Sequence, residues 1–210
     1  MDFKKEKKLL SKGYKLVAGL DEVGRGAWAG PIVAGVVVFT DDFLDARKDK
    51  SFNFFSKIKD SKLLNPDQRE ELFELITKNF IWSVGEVEAK EIDKIGISEA
   101  NSLALRRAVE NLKLKPDYLL IDYIKNININ LPTQGIKGGD NKVLSIAAAS
   151  IVAKVWRDRL MISYHKRFNR WYFNLHKGYG TKLHLERINK YGICSLHRKS
   201  FSPIKILQNY

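Results

Sequence analysis

The chain has 210 residues, 44% of them hydrophobic, a length that suits one domain whose core needs no disulfide or structural metal. It has 37 Lys and Arg against 24 Asp and Glu, a formal net charge of +13, and one cysteine. No apolar stretch approaches the roughly 18 to 20 residues of a membrane-spanning helix, and no secretion signal is recognisable. We therefore expect a protein of the reducing cytoplasm, with no membrane segment and no disulfide.

The positive charge is concentrated in the last third of the chain. Residues 141–210 contain 14 Lys and Arg against two acids, so this segment carries +12 of the total charge of +13. Aromatic side chains are interleaved with these basic residues, among them Trp156, Tyr164, Phe168, Trp171, Tyr172, Phe173, Tyr179 and Tyr191. A phosphate backbone with exposed sugars would select such a surface, although charge alone also fits a solubilising surface or an acidic membrane.

Apolar runs that alternate with amphipathic stretches predict an α/β domain. The predicted strands occupy residues 14–20, 31–39, 81–89 and 117–123, and the first two are expected to be neighbours. The predicted helices occupy residues 65–78, 98–112, 143–168 and 181–191. This order predicts a mixed sheet with helices on its faces and a basic, helical C-terminal part.

Short polar segments mark the boundaries of these elements. Asn65 and Pro66 predict the start of the first helix, Ser98 the start of the second, and Gly192 the end of the last. Residues 40–56 are polar and irregular, so we expect a surface excursion there.

Two adjacent acids, Asp21 and Glu22, follow the first apolar run and precede Gly24 and Gly26. Buried carboxylates need a charged partner, and a divalent cation is one. Because neighbouring side chains of a strand point to opposite faces, we expect the glycines to bend the backbone so that both carboxylates converge.

Two further acids stand at comparable positions. Asp122 follows the apolar run 118–121, and Asp140 follows two glycines ahead of the longest predicted helix. Either acid alone would fit a cap or a turn, but four acids at the ends of apolar segments indicate a site for Mg²⁺ or Mn²⁺. The four histidines have no zinc-site spacing, and we expect them to be surface or hydrogen-bonded residues.

The glycine-rich segment 24–26 matches neither a P-loop nor a dinucleotide fingerprint. Its backbone N–H groups can still bind a phosphate or a sugar hydroxyl that passes the metal site.

Seven motifs in order carry a resemblance to a known family. They are AGLDEVGRGAWAGPIVAGVVVF (18–39), DSKL (60–63), LLID (119–122), GD (139–140), SIAAASIVAKVWRDR (145–159), HKGYGTKLH (176–184) and HRKSF (197–201). Over about residues 14–203 the chain resembles bacterial ribonuclease HII. The resemblance implies a ribonuclease H-like fold, in a single domain over residues 1–210 with 165–210 as a helical C-terminal extension packed on it.

The resemblance also implies an activity. The family hydrolyses the RNA strand of RNA–DNA hybrids and nicks duplex DNA 5′ to a single embedded ribonucleotide, leaving 3′-OH and 5′-phosphate ends. Such an enzyme serves ribonucleotide excision and RNA primer removal. Its four acids, here Asp21, Glu22, Asp122 and Asp140, hold two divalent ions.

Substrate-binding residues are implied in the same way, by the positions that match the family's motifs. Gly24, Arg25 and Gly26 match the loop that reads the ribose 2′-OH. Tyr179 matches the tyrosine that stacks on the sugar beyond the scissile ribonucleotide. Residues on the phosphate side, or supporting it, are Lys62, Ser145, Ser150 and Lys154.

The sequence departs from the family pattern at three places. Ala27 and Trp28 replace Pro and Leu, Tyr123 follows the third acid where glycine is usual, and segment 40–59 is long.

Alternative functions remain open at this point. They are another metal-dependent nuclease of the same fold, such as a junction resolvase or a hybrid-only ribonuclease H, and a non-catalytic nucleic-acid-binding protein. The expected partners are RNA–DNA hybrids and ribonucleotide-containing duplexes, with a sliding clamp or polymerase as a candidate contact of residues 204–210. A monomer is the default expectation.

Overall fold

The computed structural model describes residues 3–40, 58, 64–123 and 127–207. A five-stranded sheet lies at its centre. The strands are β1 (Leu16–Val23), β2 (Ile32–Thr40), β3 (Ile81–Val87), β4 (Tyr118–Asp122) and β5 (Thr133–Ile136). The helices in these ranges are α1 (Lys4–Leu10), α2 (Pro66–Asn79), α3 (Ala89–Ile95), α4 (Ile97–Glu110), α5 (Leu144–Arg167), α6 (Phe173–His176), α7 (Lys182–Tyr191) and α8 (Ser202–Leu207).

The sheet is mixed, with the strand order β3-β2-β1-β4-β5. Strand β1 pairs antiparallel with β2 and parallel with β4, while β3 and β5 form the two edges. The predicted mixed sheet and the predicted β1–β2 pairing are confirmed. Because β1 and β4 are parallel, their carboxyl ends, and the acids at those ends, meet at the same edge of the sheet.

Both faces of the sheet are covered by apolar side chains, in the alternation that a strand imposes. Val17 and Leu120 face the core formed with α1, α2 and α5. Their neighbours Ala18 and Leu119 face the second core, formed with α4. The sheet is therefore buried on both sides, which explains the continuous apolar runs in the sequence.

The N-terminal half of α5 lies directly on the sheet because both surfaces are built from small residues. A Cβ atom on Gly19 would be 2.1 Å from the carbonyl carbon of Ser145, and one on Gly35 would be 2.5 Å from the Ala149 carbonyl oxygen. Only glycine fits at these two positions. This close contact brings the side chains of α5 to the acid-bearing end of β1.

Most predicted helix boundaries agree with the structure. Asn65 accepts a hydrogen bond from the Gln68 N–H at 2.9 Å in a complete capping box, and α7 ends at Gly192 as expected. The prediction that Ser98 caps α4 is wrong, because the helix begins at Ile97 and its N-cap is Gly96, with φ of 79°. Segment 41–56 lies outside the described residues.

A smaller apolar cluster joins the C-terminal part to the rest of the molecule. Ala29 and Met161 pack there against Phe173 and Leu196. The extent of a separate extension from residue 165 stays a prediction. Among the described residues, no helix combines the length and the apolar character needed to cross a membrane.

Candidate active site

Three of the four predicted acids lie at neighbouring strand ends. Asp21 and Glu22 are among the last three residues of β1, and Asp122 is the last residue of β4. All three lie just beyond the parallel pair Leu20–Ile121. The charges of Glu22 and Asp122 both act on Asp21. The parallel pairing therefore brings together acids that are about 100 residues apart in the sequence.

The prediction that the backbone bends at Asp21 and Glu22 is wrong. Strand β1 continues to Val23 and stays paired with β2 past both acids. The two side chains consequently leave opposite faces of the sheet. Asp21 accepts a hydrogen bond from Ser150 of α5, whereas Glu22 accepts one from Asn101 of α4.

Burial makes these carboxyl groups hard to ionise. It raises the pKa of Asp21 to about 8, and the nearby Glu22 and Asp122 charges add to the effect. Burial also raises the pKa of Glu22. The Oε2 atom of Glu22 is buried and accepts no hydrogen bond from the described residues. Desolvated carboxyl groups with an unused oxygen are a donor set that fits a divalent cation.

Asp140 is held close to this group by the turn that precedes α5. Gly138 has a φ of 65°, and the following Gly139 N–H donates to Asp122 Oδ1 at 2.8 Å. Asp140 itself is buried and accepts a hydrogen bond from Asn141 at 3.1 Å. In the described part of the chain, no three acidic, histidine or cysteine side chains already converge on a cation position.

The segment Gly24–Gly26 follows the end of β1, with Gly24 buried and Arg25 and Gly26 in an exposed turn. Gly24 has a φ of 86°, and a Cβ there would be 2.2 Å from Nε of Arg157, so this position requires glycine. Arg25 is exposed, and its charge acts on Glu22. A Cβ atom on Gly26 would meet nothing within 4 Å, so the backbone of this residue is accessible to a ligand.

Two buried arginines support this turn, and neither was predicted. Arg157 donates to the carbonyl oxygens of Pro31 at 2.9 Å and Lys177 at 2.9 Å. Arg198 donates to those of Gly30 at 3.0 Å and Arg25 at 3.0 Å. Burial lowers the pKa of both arginines, that of Arg198 to about 9.

Both arginines lie inside motifs that match the family, and this position was the only sign in the sequence that they matter. Their partners are backbone carbonyls, which no residue pattern reveals. The loop after β1 is thus attached to the C-terminal part of the chain.

Tyr179 lies on the C-terminal side of this attachment. The carbonyl of its neighbour Gly178 accepts hydrogen bonds from the N–H groups of Trp28 at 2.8 Å and Ala29 at 3.2 Å. The half-buried Tyr179 ring has the Arg157 guanidinium 5.2 Å from its centroid. The structure therefore fixes Tyr179 to the same loop that carries Gly24–Gly26.

The remaining predicted substrate residues have different environments. Lys154 forms an ion pair with Asp158 at 2.9 Å and lies 5.8 Å from the Tyr179 ring centroid. Ser150 contacts Asp21. Ser145 is fully buried, and its N–H donates to Glu6 at 2.7 Å, which is a supporting position. Lys62 lies outside the described residues.

Three of the four histidines are buried beneath the loop and hydrogen-bonded, as expected from the sequence. His184 and His197 are joined Nε2 to Nε2 at 3.1 Å, and His176 stacks on His184 with ring centroids 4.2 Å apart. Burial lowers the pKa of His184 to about 3 and that of His197 to about 4. These imidazoles are neutral, structural groups.

A family model for ribonuclease HII matches residues 18–204 of this sequence. This chain belongs to the ribonuclease HII family. The match spans all four acids, the Gly24–Gly26 turn and Tyr179.

Individual relatives agree with this assignment. A ribonuclease HII of Dehalococcoides mccartyi is 45% identical over 202 residues, which cover 95% of this chain and 92% of that protein. The ribonuclease H2 structure of Pyrococcus horikoshii superposes with a TM-score of 0.76 at 26% identity, covering 92% of this chain and 97% of that one.

A second structure, of ribonuclease HII from Archaeoglobus fulgidus in complex with PCNA, gives a TM-score of 0.73 at 27% identity. It covers 89% of this chain and 95% of that one. The ribonuclease H-like fold is confirmed. As a member of the ribonuclease HII family, the protein is a metal-dependent ribonuclease H, an endonuclease that acts on RNA–DNA.

Proposed function

We propose that this ribonuclease HII cuts the RNA strand of hybrids and also nicks duplex DNA 5′ to a single embedded ribonucleotide, leaving 3′-OH and 5′-phosphate ends. The observation that carries the proposal is the attachment of the Gly24–Gly26 turn and Tyr179 to one loop at the end of β1. A turn near the acids whose backbone is accessible at Gly26 can read one 2′-OH at the cleaved position.

Asp21, Glu22, Asp122 and Asp140 would hold two divalent ions, Mg²⁺ or Mn²⁺. When bound, such ions supply an activated water and stabilise the charge of the departing 3′ oxygen. The Gly139 N–H fixes one oxygen of Asp122, and Ser150 orients Asp21. The Gly139 contact uses Oδ1 of Asp122 and leaves Oδ2 of that residue for an ion. His176, His184 and His197 are not placed to act as a base, because they are buried in the cluster described above.

The substrates of the cleavage test are three labelled duplexes: DNA with one ribonucleotide, an RNA–DNA hybrid and all-DNA. Each is incubated with Mg²⁺, Mn²⁺ or EDTA. We expect a metal-dependent nick on the 5′ side of the single ribonucleotide and multiple cuts in the hybrid. Cutting of the hybrid alone would contradict the 2′-OH-reading role of Gly24–Gly26.

We further propose that the C-terminal end contacts a sliding clamp. Helix α8 anchors Ile204 in the core but leaves Ile206 58% exposed, so an apolar side chain is presented next to the chain end. The Archaeoglobus relative supports the idea by its complex with PCNA. Surface plasmon resonance against a bacterial clamp should show binding that is lost on deletion of residues 206–210. Equal binding by the deletion variant would contradict the proposal.

A monomeric state and a cytoplasmic location stay predictions. Light scattering during size-exclusion chromatography tests the first, with a mass near 24.1 kDa expected.

A further inference from the structure

Tyr123 is an exposed aromatic residue in an unfavourable backbone conformation, one position after Asp122. Its φ is 58°, in the left-handed region that favours glycine, and its backbone is held there by donation to the Ile136 carbonyl at 3.1 Å. The side chain is 68% exposed. A bulky ring at such a position contributes little to the core, so its presence next to an active-site acid points to a contact outside the protein.

A groove of about 660 Å³ begins at this ring. Arg25 and Lys137 contribute two exposed cationic side chains to its lining. Asn101 lines the same groove and donates to Glu22, so the wall of the groove includes a side chain that contacts one of the acids. An aromatic ring and two cations in one groove are suited to a sugar and its adjoining phosphates.

Tyr123 and Tyr179 are attached to different parts of this edge of the sheet. Tyr179 is attached to the loop between β1 and β2, whereas Tyr123 stands between the ends of β4 and β5. In the strand order β3-β2-β1-β4-β5, the acid Asp21 of β1 lies between these two regions. A nucleic-acid strand cut at the acids would therefore pass one tyrosine on each side.

We propose that Tyr123 packs against the sugar of a nucleotide in the cleaved strand, on the opposite side of the cleaved bond from Tyr179. Arg25 and Lys137 bind the adjoining phosphates. This inference rests on the proposed function, which places the cleaved strand at the acids. It gives the protein a second sugar-contacting residue, upstream of the cut.

The contact is tested by a cycle that combines protein variants with shortened substrates. The probe is a fluorescent DNA duplex with one ribonucleotide, whose cleaved strand extends ten, three, two or one nucleotides 5′ of the scissile bond. Dissociation constants are measured by anisotropy in Ca²⁺, with the integrity of the duplex checked after each titration. Rates are then measured in Mg²⁺.

The wild type should bind the shortened strand about fivefold to tenfold more weakly once the contacted nucleotide is removed, the size typical of one aromatic contact. The Tyr123→Gly variant suits the left-handed backbone. It should bind the long duplex about fivefold to tenfold more weakly than the wild type does, and shortening of the cleaved strand should not weaken its binding further. Tyr123→Phe should restore the wild-type pattern. In Mg²⁺ the Tyr123→Gly substitution should raise KM more than it lowers kcat.

Tyr172 provides a matched control, because it is also an exposed tyrosine with a positive φ, of 55°. Tyr172→Gly should keep the wild-type sensitivity to 5′ shortening. If Tyr123→Gly keeps that sensitivity as well, the proposal is overturned. If binding follows the predicted pattern but no variant cleaves in Mg²⁺, the Tyr123 contact stands and the proposed function fails instead.

Discussion

At the scale of single residues, Tyr179 connects the substrate loop to the cleavage chemistry. Its ring lies beside Arg157 and Lys154, and its neighbour Gly178 is bonded to the loop after β1. Tyr179→Ala should lower the rate of single-ribonucleotide nicking by more than about tenfold, since one ring contact contributes about 1–3 kcal/mol. Single-turnover kinetics measures the effect. An unchanged rate would remove Tyr179 from the substrate site.

The raised pKa of Asp21 predicts how metal binding depends on pH. Burial holds this pKa at about 8, so the metal-free carboxyl is largely protonated at pH 7 and a cation must displace the proton. The apparent Mn²⁺ affinity should rise by up to about tenfold per pH unit below pH 8 and level off above it. Calorimetry at pH 6.5, 7.5 and 8.5 measures this, and a pH-independent affinity would contradict it.

Residue patterns predicted the polar groups of the site better than their supports. The sequence signals are clear at these positions. Asp21 and Asp122 each end an apolar run, and Gly24 begins a glycine-rich segment. Arg157 and Arg198 could not be predicted as loop supports, since their partners are backbone carbonyls of remote segments. Tertiary packing, not local sequence, decides those contacts.

At the scale of elements, Arg157 joins α5 to the loop after β1. Arg157→Met would leave the carbonyls of Pro31, Lys177 and Ala29 without this donor, and should lower the free energy of unfolding by about 2–4 kcal/mol. It should also slow nicking, because the supports of Gly24–Gly26 and Tyr179 are lost together. Urea denaturation and single-turnover rates measure the two effects.

Arg159 on the same helix serves as the matched control. It is 44% exposed and pairs with Glu70 and Glu74 on the surface. Arg159→Met should therefore cost less than about 1 kcal/mol. Equal losses for the two variants would contradict the supporting role of Arg157.

The elements that the sequence did not predict are short or depend on tertiary partners. Strand β5 has the sequence TQGI, which contains a glycine and little apolar pattern, and it is defined by its pairing with β4. Helix α1 is rich in lysine, but Leu9, Leu10 and the preceding Phe3 are buried. By contrast, α2 carries a capping box and α5 a long run of small residues, and both were predicted within about two residues.

At the scale of the whole molecule, two groups of buried residues give stability opposite dependences on pH. The lowered pKa values of His184, about 3, and His197, about 4, mean that only the unfolded chain binds their protons as pH falls below 6.5, so stability is lost. The raised pKa of Asp21 acts the other way between pH 8 and 4 in the metal-free protein. In the wild type, the histidines and Asp21 therefore make opposing contributions to the pH dependence of the free energy of unfolding.

The contribution of the histidines to the pH dependence of stability is measured in a variant that lacks the two acids of β1. In the variant Asp21→Asn/Glu22→Gln, moving from pH 7.5 to pH 5 should lower the free energy of unfolding by about 2 kcal/mol for each of the two imidazoles. Urea denaturation at both pH values measures the difference. Equal stability at pH 7.5 and pH 5 would show that the histidine cluster accepts protons in the folded protein.

In the proposed function, the acids at the ends of β1 and β4 perform cleavage next to a loop that recognises the ribonucleotide. It is tested most directly with Asp122→Asn, which keeps an oxygen to accept the Gly139 N–H but loses the carboxylate charge. A duplex with one ribonucleotide is offered to both proteins in Mg²⁺, and cleavage and binding are measured on the same samples. The wild type should make a 5′ nick and Asp122→Asn should show no turnover, with binding that agrees within about threefold, since the loop and Tyr179 are unchanged. Cleavage by Asp122→Asn near the wild-type rate would contradict it.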